Sequence, residues 1–499
     1  MTRHNILTVE EYLREHGPAL SSEVSAFFQD QGLSAPTARK RIERATGNIK
    51  WLYRLGLPHR QRFLYLEEQF GTDAFSQRFI ESMDKIRSVF GYALFGLEAR
   101  GGIIPRSYFP IISGTPQKIR GHLSPEVVLA ILEHLGAVYP LSNDDVGPCI
   151  QFAWAEQPST IAKMKARLAV EDVLADAVTE WLRKLGFVSY DAVKTRALTQ
   201  QPEYASVAFD IVGPSYISPL MTFRKGKSVG GFLAADIFIN DLQERDIRYF
   251  VHKFGILRSR RQLRPLIPML VAGRFSPEAM RALKTAGILC PTITNLFGGD
   301  IFDALVKLLR TLENAAAVAA RSPDQIYTLF SKLGSFEGAL GRMRGAMFEL
   351  VVGHAVQAER TGVMEIGKYI RDPNNGDGAE VDVFHMHGTE VACYECKGYG
   401  PQHPVTFEEV KRWSETRIPL IREWLAANSV LAKYRQSFAF WTSSTFEPHA
   451  LTYLQARWSN TRKFKVTWKA GNEVAEYADL YASPAIAKVL REFYLKQRG

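Results

Sequence analysis

The chain is poor in cysteine. It has four among 499 residues, too few for a disulfide-built scaffold and in keeping with a reducing compartment. No uninterrupted apolar run approaches the ~18–20 residues that a membrane span requires. The opening residues, MTRHNILTVEEYLREHG, carry charge early and lack an apolar core with a small-residue cleavage site, so they do not read as a secretory signal. Signatures of several enzyme classes are missing as well. Gly226-Lys227-Ser228 matches the end of a phosphate-binding loop, but Met221 stands where its first glycine belongs, so the backbone cradle for phosphates is absent. Cys393 and Cys396 are spaced like half a zinc site, yet no second pair follows, and on a strand the two face opposite sides. No G-x-S-x-G, H-E-x-x-H or dinucleotide fingerprint stands in a fitting context. What is there is a chain 46% hydrophobic and 23% charged, a balance that buries a real core. Its 62 Lys and Arg exceed its 52 Asp and Glu, leaving a net charge of +10, which favours a polyanionic partner. At roughly 150 residues per domain the length predicts about three domains. A cytoplasmic protein with no membrane partner is expected.

Residues 8–16 and 21–31 predict short amphipathic helices, broken by Gly17-Pro18 and by Gly32. A third runs from the N-cap Ser34 to Ala45. Two strand-like runs follow, Ile49 to Arg54 and Arg62 to Leu66, split by Gly56 and Pro58. Three helices and a hairpin with a basic third helix resemble a winged helix-turn-helix over residues 1–70. From Thr37 to Arg62 the cations are Arg39, Lys40, Arg41, Arg44, Lys50, Arg54, Arg60 and Arg62, against Glu43 alone. Such a cluster releases counterions from a phosphate backbone, and the third helix of that fold enters a major groove. Thr37, Arg39, Lys40, Arg41 and Arg44 are therefore the DNA-binding candidates; the competing reading is a solvated basic helix in a protein-interaction module. Residues 71–150 are expected to hold a second helical, winged-helix-like module. It comprises a long helix through SMDKIRSVFGYALFGLEARGG, a Pro-rich stretch, and a helix from Ser124 to Leu135 with Ser124-Pro125 as N-cap and first turn.

The remainder contains one pattern twice. RFSPEAMRAL at 274–283 and TFEPHALTYL at 445–454 share F-x-P-x-A-[Met/Leu]-x-x-Leu, each after an apolar strand, 266–273 and 437–444. Upstream, VAFDIV at 207–212 parallels AEVDVF at 379–384, placing Asp210 and Asp382 in matching strands. Further upstream lie helices at 160–185, with Glu171, and 335–361, with Glu349. The expected order in both copies is helix, three strands, helix, strand, helix, strand. The period is too long for a solenoid, so two tandem α/β domains are predicted, 155–310 and 330–499.

The second copy carries the chemistry. Glu349 sits mid-helix in GRMRGAMFELVVGHAVQAE, where an unpaired carboxylate is costly to bury. The turn-rich DPNNGDG at 372–378 leads into AEVDVFHMH with Asp382; after a tight turn at Gly388-Thr389, EVACYECKGYG carries Glu395 and Lys397. Residues two apart on a strand share a face, and a hairpin sets Asp382 beside them. Two carboxylates converging with an ammonium suit a hard divalent cation. The alternative is a cross-strand ion pair on a solvated face. Glu380, on the face of Asp382, could contribute; His354, His385 and His387 read as structural.

A helix Glu349, a strand Asp382 and Glu395-x-Lys397 resemble the PD-(D/E)XK, or restriction-endonuclease-like, nuclease superfamily, over about 330–480 and more loosely in the first copy. Val381, not proline, precedes Asp382. The resemblance implies a mixed central sheet flanked by helices and a Mg²⁺-dependent phosphodiesterase, with Mn²⁺ as a substitute ion. It makes Asp382, Glu395 and the backbone carbonyl of Cys396 metal ligands. Lys397 would orient or activate the attacking water, and Glu349 would support the metal shell. In the first copy, GGFLAADIFIND offers Asp236 or Ala235 for the glutamate and Phe238 or Ile237 for the lysine. Hydrolysis there is not expected; the basic run with Lys253, Arg258, Arg260, Arg261 and Arg264 is a candidate for DNA contact. The whole reads as a multidomain α/β chain: a DNA endonuclease of restriction, phage defence or DNA processing, expected as a homodimer because a double-strand cut needs two sites. The rivals are a DNA-binding regulator or scaffold with inert nuclease-like domains, and a nuclease acting on RNA or branched DNA.

Overall fold

The computed structural model describes residues 8–52, 55–143, 146–154, 160–198, 200–224, 227–260, 262–314, 327–328, 339–371, 378–459, 461 and 463–495. Arg54, Arg261, the start of the predicted helix at 335–338 and the turn at 372–377 lie outside them. The chain is mixed α/β.

The N-terminal segment follows the hydrophobic pattern closely. Helix α1 (Val9–His16) starts at Thr8, whose hydroxyl accepts the Glu11 N–H while the Glu11 carboxylate accepts the Thr8 N–H, a capping box. Strand β1 (Ala19–Leu20), helices α2 (Ser21–Asp30) and α3 (Ala35–Glu43), and strands β2 (Ile49–Trp51) and β3 (Phe63–Leu66) complete it. The antiparallel sheet runs β1-β3-β2. Leu13, Val24, Phe28, Ala38 and Leu64 form its core.

The next segment repeats that order. The single long helix expected through 82–102 is two helices, α4 (Asp73–Lys85) and α5 (Val89–Ala99). Ser88 breaks it: its hydroxyl caps α5 by accepting the Gly91 N–H at 3.2 Å, while Arg87 takes a left-handed conformation at φ 51°. A Cβ on Gly91 would stand 2.9 Å from the Met83 carbonyl, so the close approach of the two helices requires glycine there. Strand β4 (Ile103–Pro105), α6 (Phe109–Ile112), α7 (Pro125–His134), β5 (Val138–Asn143) and β6 (Gly147–Phe152) follow, with sheet order β4-β6-β5. Leu20 and Phe63 of the first segment share a core with Phe75 and Phe79 of the second, so the two pack as one.

Two α/β units come next. The first has α8 (Ile161–Lys184), β7 (Lys194–Thr195), β8 (Ile211–Ser215), β9 (Gly231–Ile237), α9 (Glu244–Arg258), β10 (Leu266–Val271), α10 (Pro277–Ala286) and α11 (Gly299–Glu313). The second has α12 (Ala339–Glu359), β11 (Val363–Arg371), β12 (Gly378–His387), β13 (Glu390–Lys397), α13 (Phe407–Arg412) and a wide π-type turn over Trp413–Arg417. After it come α14 (Ile418–Ala427), β14 (Arg435–Thr442), α15 (Pro448–Trp458), β15 (Lys465–Lys469) and α16 (Gly471–Tyr481). The sheets run β7-β8-β9-β10 and β11-β12-β13-β14-β15. In each, the first three strands are antiparallel and the next is parallel to the third. Where the second unit has β15, the first has only two isolated bridges, at Leu289 and Thr292. The shared motif is local chemistry: Pro277 and Pro448 both occupy the first helical turn, where a missing N–H costs nothing. Val170, Leu174 and Val178 of α8 join Met347, Leu350 and Val351 of α12 in one core, so the units pack helix to helix.

Candidate active site

Strands β12 and β13 pair from His387↔Glu390 to Val383↔Tyr394. One step further Asp382 and Glu395 face each other, and there the backbone ladder gives way to a side chain: the Cys396 N–H donates to Asp382 Oδ2 at 2.6 Å. Both acids are buried, at 2% and 5% exposure. Glu395 is held from two sides. Arg417, at the end of the π-type turn, places Nη1 2.7 and 2.6 Å from its two oxygens, and Lys397 Nζ lies 2.9 Å from Oε1. A wide turn is a common device for aiming a side chain at a site; here it carries a buried guanidinium under the sheet. Lys397 and Glu395 share a face, as the strand period predicts.

Glu349, half-buried on α12, approaches from the other side. Lys165 of α8 connects it to Glu380, with Nζ 3.8 Å from Glu349 Oε1 and 2.8 Å from Glu380 Oε2. Asn143 at the end of β5 donates to the same Glu380 oxygen at 3.3 Å. Gly367 on β11 makes room for this acid. It takes φ +66°, and a Cβ there would stand 3.0 Å from Glu380 Oε1. Burial, and then the negative charges of Asp382, Glu349 and Glu395, push the Cys396 thiol well above its ordinary range. Three acids thus act on one point of the sheet. Among the described residues no group of three or more His, Cys, Asp or Glu side chains stands ready to share a metal ion. The histidines go elsewhere: His354 Nε2 accepts the Ser483 N–H at 3.2 Å, and His387 Nδ1 lies 2.8 Å from the Thr361 carbonyl. Cys393 and Cys396 pack into different cores on the two faces of the sheet and are both free thiols. Lys165, Asn143 and Arg417 were not singled out from the sequence; they carry no local motif.

The first unit has the same frame, filled differently. Ile211 pairs with Ala235, so Asp210 and Asp236 face each other as Asp382 and Glu395 do. The Ile237 N–H donates to Asp210 Oδ2 at 2.8 Å, the counterpart of the Cys396 bond. This register makes Asp236 the equivalent of Glu395 and Phe238 the equivalent of Lys397. Three cations fill the site. Arg100, following α5, reaches Glu171 at 2.7 Å and Asp210 at 2.5 Å, with its guanidinium 4.2 Å from the Phe238 ring centroid. Arg196 bonds Asp210 at 3.1 Å, Glu171 at 3.0 Å and Asp172 at 3.2 Å. Lys253 of α9 lies 2.5 Å from Asp236 and also donates to the carbonyls of Ile111 and Ala208. Burial would raise the Asp210 carboxyl, yet Arg100 and Arg196 hold it below the usual range; burial raises Asp236 and lowers Lys253. Lys253, expected in a DNA-facing basic run, is instead fully buried. It falls on the inward stripe of α9 with Tyr249, Phe250 and Ile256. Arg258 and Arg260 of that run are exposed.

Helix α3 presents Thr37, Arg39, Lys40 and Arg44 to solvent. Arg41 is half-buried, its guanidinium 5.0 Å from the Phe28 ring centroid. Thr37, Lys40, Arg41 and Arg44 line an open groove of about 630 Å³ between α3 and the start of α1. The positional counterpart in the second segment, α7, has Glu126 and Glu133 and neither Lys nor Arg. Among the described residues no helix is long and apolar enough to cross a membrane. Comparison with protein-family models, curated proteins and solved structures finds no match.

Proposed function

We propose that the chain is a metal-dependent DNA endonuclease of the PD-(D/E)XK kind. In this reading 1–70 is a winged helix-turn-helix, 71–150 a second winged-helix-like module, 155–310 a nuclease-like domain without chemistry, and 330–499 the catalytic domain. The observation that carries it is local: where β12 and β13 part, Lys397 Nζ stands 2.9 Å from Glu395, with Asp382 facing them and bound to the Cys396 N–H. The order helix, three antiparallel strands, helix, parallel strand supports the same reading. So do the three-helix-and-hairpin order of the first segment and the exposed cations of α3, the kind of charge a phosphate backbone attracts.

Asp382 and Glu395 would supply hard oxygen donors of the type Mg²⁺ takes, with the Cys396 carbonyl as a further ligand and Glu349 in support. Such an ion, when bound, polarises a phosphoryl oxygen and lowers the pKa of a water. It would take over part of the charge that Lys397 and Arg417 now direct at Glu395. Lys397 then turns to the attacking water and to the negative charge that develops on the phosphate. A two-fold dimer would bring two such sites to one duplex. Restriction, phage defence and DNA processing are the settings this reading fits.

The test is cleavage by Lys397→Ala and Asp382→Ala. Both are expected to lose Mg²⁺-dependent nicking, by about 10²–10⁴-fold for a positioned proton-transfer group, while a gel shift on the same duplex is kept. Undiminished nicking by either variant would falsify the assignment. A second reading has its own observation: Glu395 is already paired with Arg417, and among the described residues no three-donor group stands ready for a metal. That favours a DNA-binding scaffold with two inert units, which would shift duplex DNA without nicking it in Mg²⁺ or Mn²⁺. Parallel digests of duplex, single strand, RNA and junctions separate DNA from RNA or branched substrates.

A further inference from the structure

On the sheet face covered by α12 and α16, the strands carry a hollow between the two helices. Register explains it. His385, Ala392, Ser437 and Lys465 stand side by side across four strands, and Tyr394, Ala439 and Thr467 form the next row. Ala392, Ser437 and Ala439 are small, so a space of about 310 Å³ opens above them. That is the lower end of the range for ligand sites, ~300–1,000 Å³, with room for one nucleotide unit.

Its walls are aromatic and cationic. Trp441 packs edge-to-face with Tyr394 and Tyr477, at centroid distances of 5.4 and 4.8 Å. Lys465 and Lys469 enter from β15, and neither has an ion-pair partner among the described residues. Lys469 Nζ lies 5.9 Å from the Trp441 ring centroid and 5.5 Å from that of Tyr477. The acids at the rim are already engaged: Glu359 accepts the Tyr477 hydroxyl at 2.5 Å, and Glu390 pairs with Arg360 at 3.4 Å. Trp441, which lines the hollow and is 3% exposed, has a buried Nε1–H donor with no hydrogen-bond partner among the described residues. Orphaned buried polar groups are rare because leaving them unpaired costs stability. The indole N–H asks for an acceptor on a ligand, and the two ammoniums ask for an anion.

We infer that this hollow binds a nucleoside phosphate. An acceptor on the edge of the base meets the Trp441 N–H, the face of the base lies along the aromatic wall, and the phosphate is held by Lys465 and Lys469. The site lies on the α12 face, away from Lys397 and from Arg417 beneath the other face. It does not depend on the chain being a nuclease. The nucleotide could be a free mononucleotide or the 5′-phosphorylated end of a strand.

The experiment is calorimetric titration of the full chain with AMP, GMP, CMP and UMP, inorganic phosphate, and a 5′-phosphorylated single-stranded 12-mer, a probe length of about one OB-fold site. At least one mononucleotide is expected to bind, about tenfold or more tightly than inorganic phosphate because the ring contributes. Lys465→Ala/Lys469→Ala is expected to weaken it by about tenfold or more. Trp441→Phe, which keeps a ring and removes the N–H, should weaken it about fivefold. Lys397→Ala should leave it unchanged, which separates this site from the proposed catalytic one. Binding of the mononucleotide but not the strand assigns a free ligand; binding of both, weakened alike by the variants, assigns a strand end. No binding by any mononucleotide, phosphate binding as tightly as the nucleotides, or binding indifferent to the lysine pair in variants of unchanged melting temperature overturns the inference.

Discussion

In residues 161–314 the three acids at the parting of the strands meet three buried cations; in 339–495 the equivalent acids meet one buried cation, Arg417, and two more reachable ones, Lys397 and Lys165 of α8. Arg100, Arg196 and Lys253 have side chains 0–4% exposed, and so do the carboxylates of Glu171, Asp210 and Asp236. Around the second site Arg417 is 1% exposed, but the side chains of Lys397, Glu349 and Lys165, the last reaching over from α8, are 13%, 14% and 19% exposed. The difference teaches how a buried acidic cluster can persist when every carboxylate is paired. Once Phe238 stands where a lysine would, the charge returns as Arg100, supplied by the neighbouring segment and laid over the same ring. The acids become the anchor by which the second N-terminal segment is fixed to the first α/β unit.

The comparison is broken most directly by removing Arg100. Arg100→Ala leaves Glu171 and Asp210 buried with Arg196 alone, and breaking a buried pair in this way costs about 3–5 kcal/mol. Urea unfolding is expected to show a loss of that size, whereas Lys397→Ala should cost about 1 kcal/mol or less, since Arg417 still satisfies Glu395. Equal losses would mean that the two sites do not differ as described.

Acid sharpens it next. The folded-state pKa of Asp210 lies below its unfolded value, so its ion pairs add stability above the ordinary aspartate pKa of about 3.9. That contribution is lost as the pH falls through the folded value. Wild type should lose stability more steeply below pH ~4 than Arg100→Ala, in which the shift is reduced. A parallel pair of pH–stability curves would remove the role given to Asp210.

The smallest effect separates the two N-terminal segments. Lys40→Ala/Arg44→Ala on α3 should weaken duplex binding uniformly across sequences and flatten the log K against log salt slope by about 2. Exchanging Glu126 and Glu133 on α7 for glutamine should leave that slope within about 0.5 of wild type. Salt titrations of the gel shift measure both.

Much of this was legible because it is local. Thr8 with Glu11, Ser34 before α3, Ser124-Pro125 before α7 and the paired Pro277 and Pro448 each mark an element boundary through hydrogen bonds or missing donors within one turn. The element order of the second α/β unit followed from strand period and glycine position; among the described residues the first lacks the final strand that the repeat predicts, with only two isolated bridges in its place. What escaped was long-range. Arg100 lies 71 residues from Glu171 and 110 from Asp210, and Lys165 lies 215 from Glu380. No spacing rule connects such partners. Two errors were avoidable in principle. Ser88 before Val89 is an N-cap signal inside an otherwise continuous apolar run, and Lys253 sits four residues after Tyr249 on the stripe that faces the core. Counting it with its exposed basic neighbours ignored the helix period.

The fixation through Arg100 has a mechanical consequence. The first segment shares a core with the second, the second is bolted to the first α/β unit by Arg100, and the Tyr369 hydroxyl donates to the Ser142 carbonyl at 2.7 Å to tie the second segment to the second α/β unit. The span from the exposed cations of α3 to Lys397 is therefore set by folded protein, like the jaws of a caliper. If the chain cuts DNA as proposed, a duplex gripped at one end would meet the other at one offset, and the positions cut would form a single narrow band rather than a ladder.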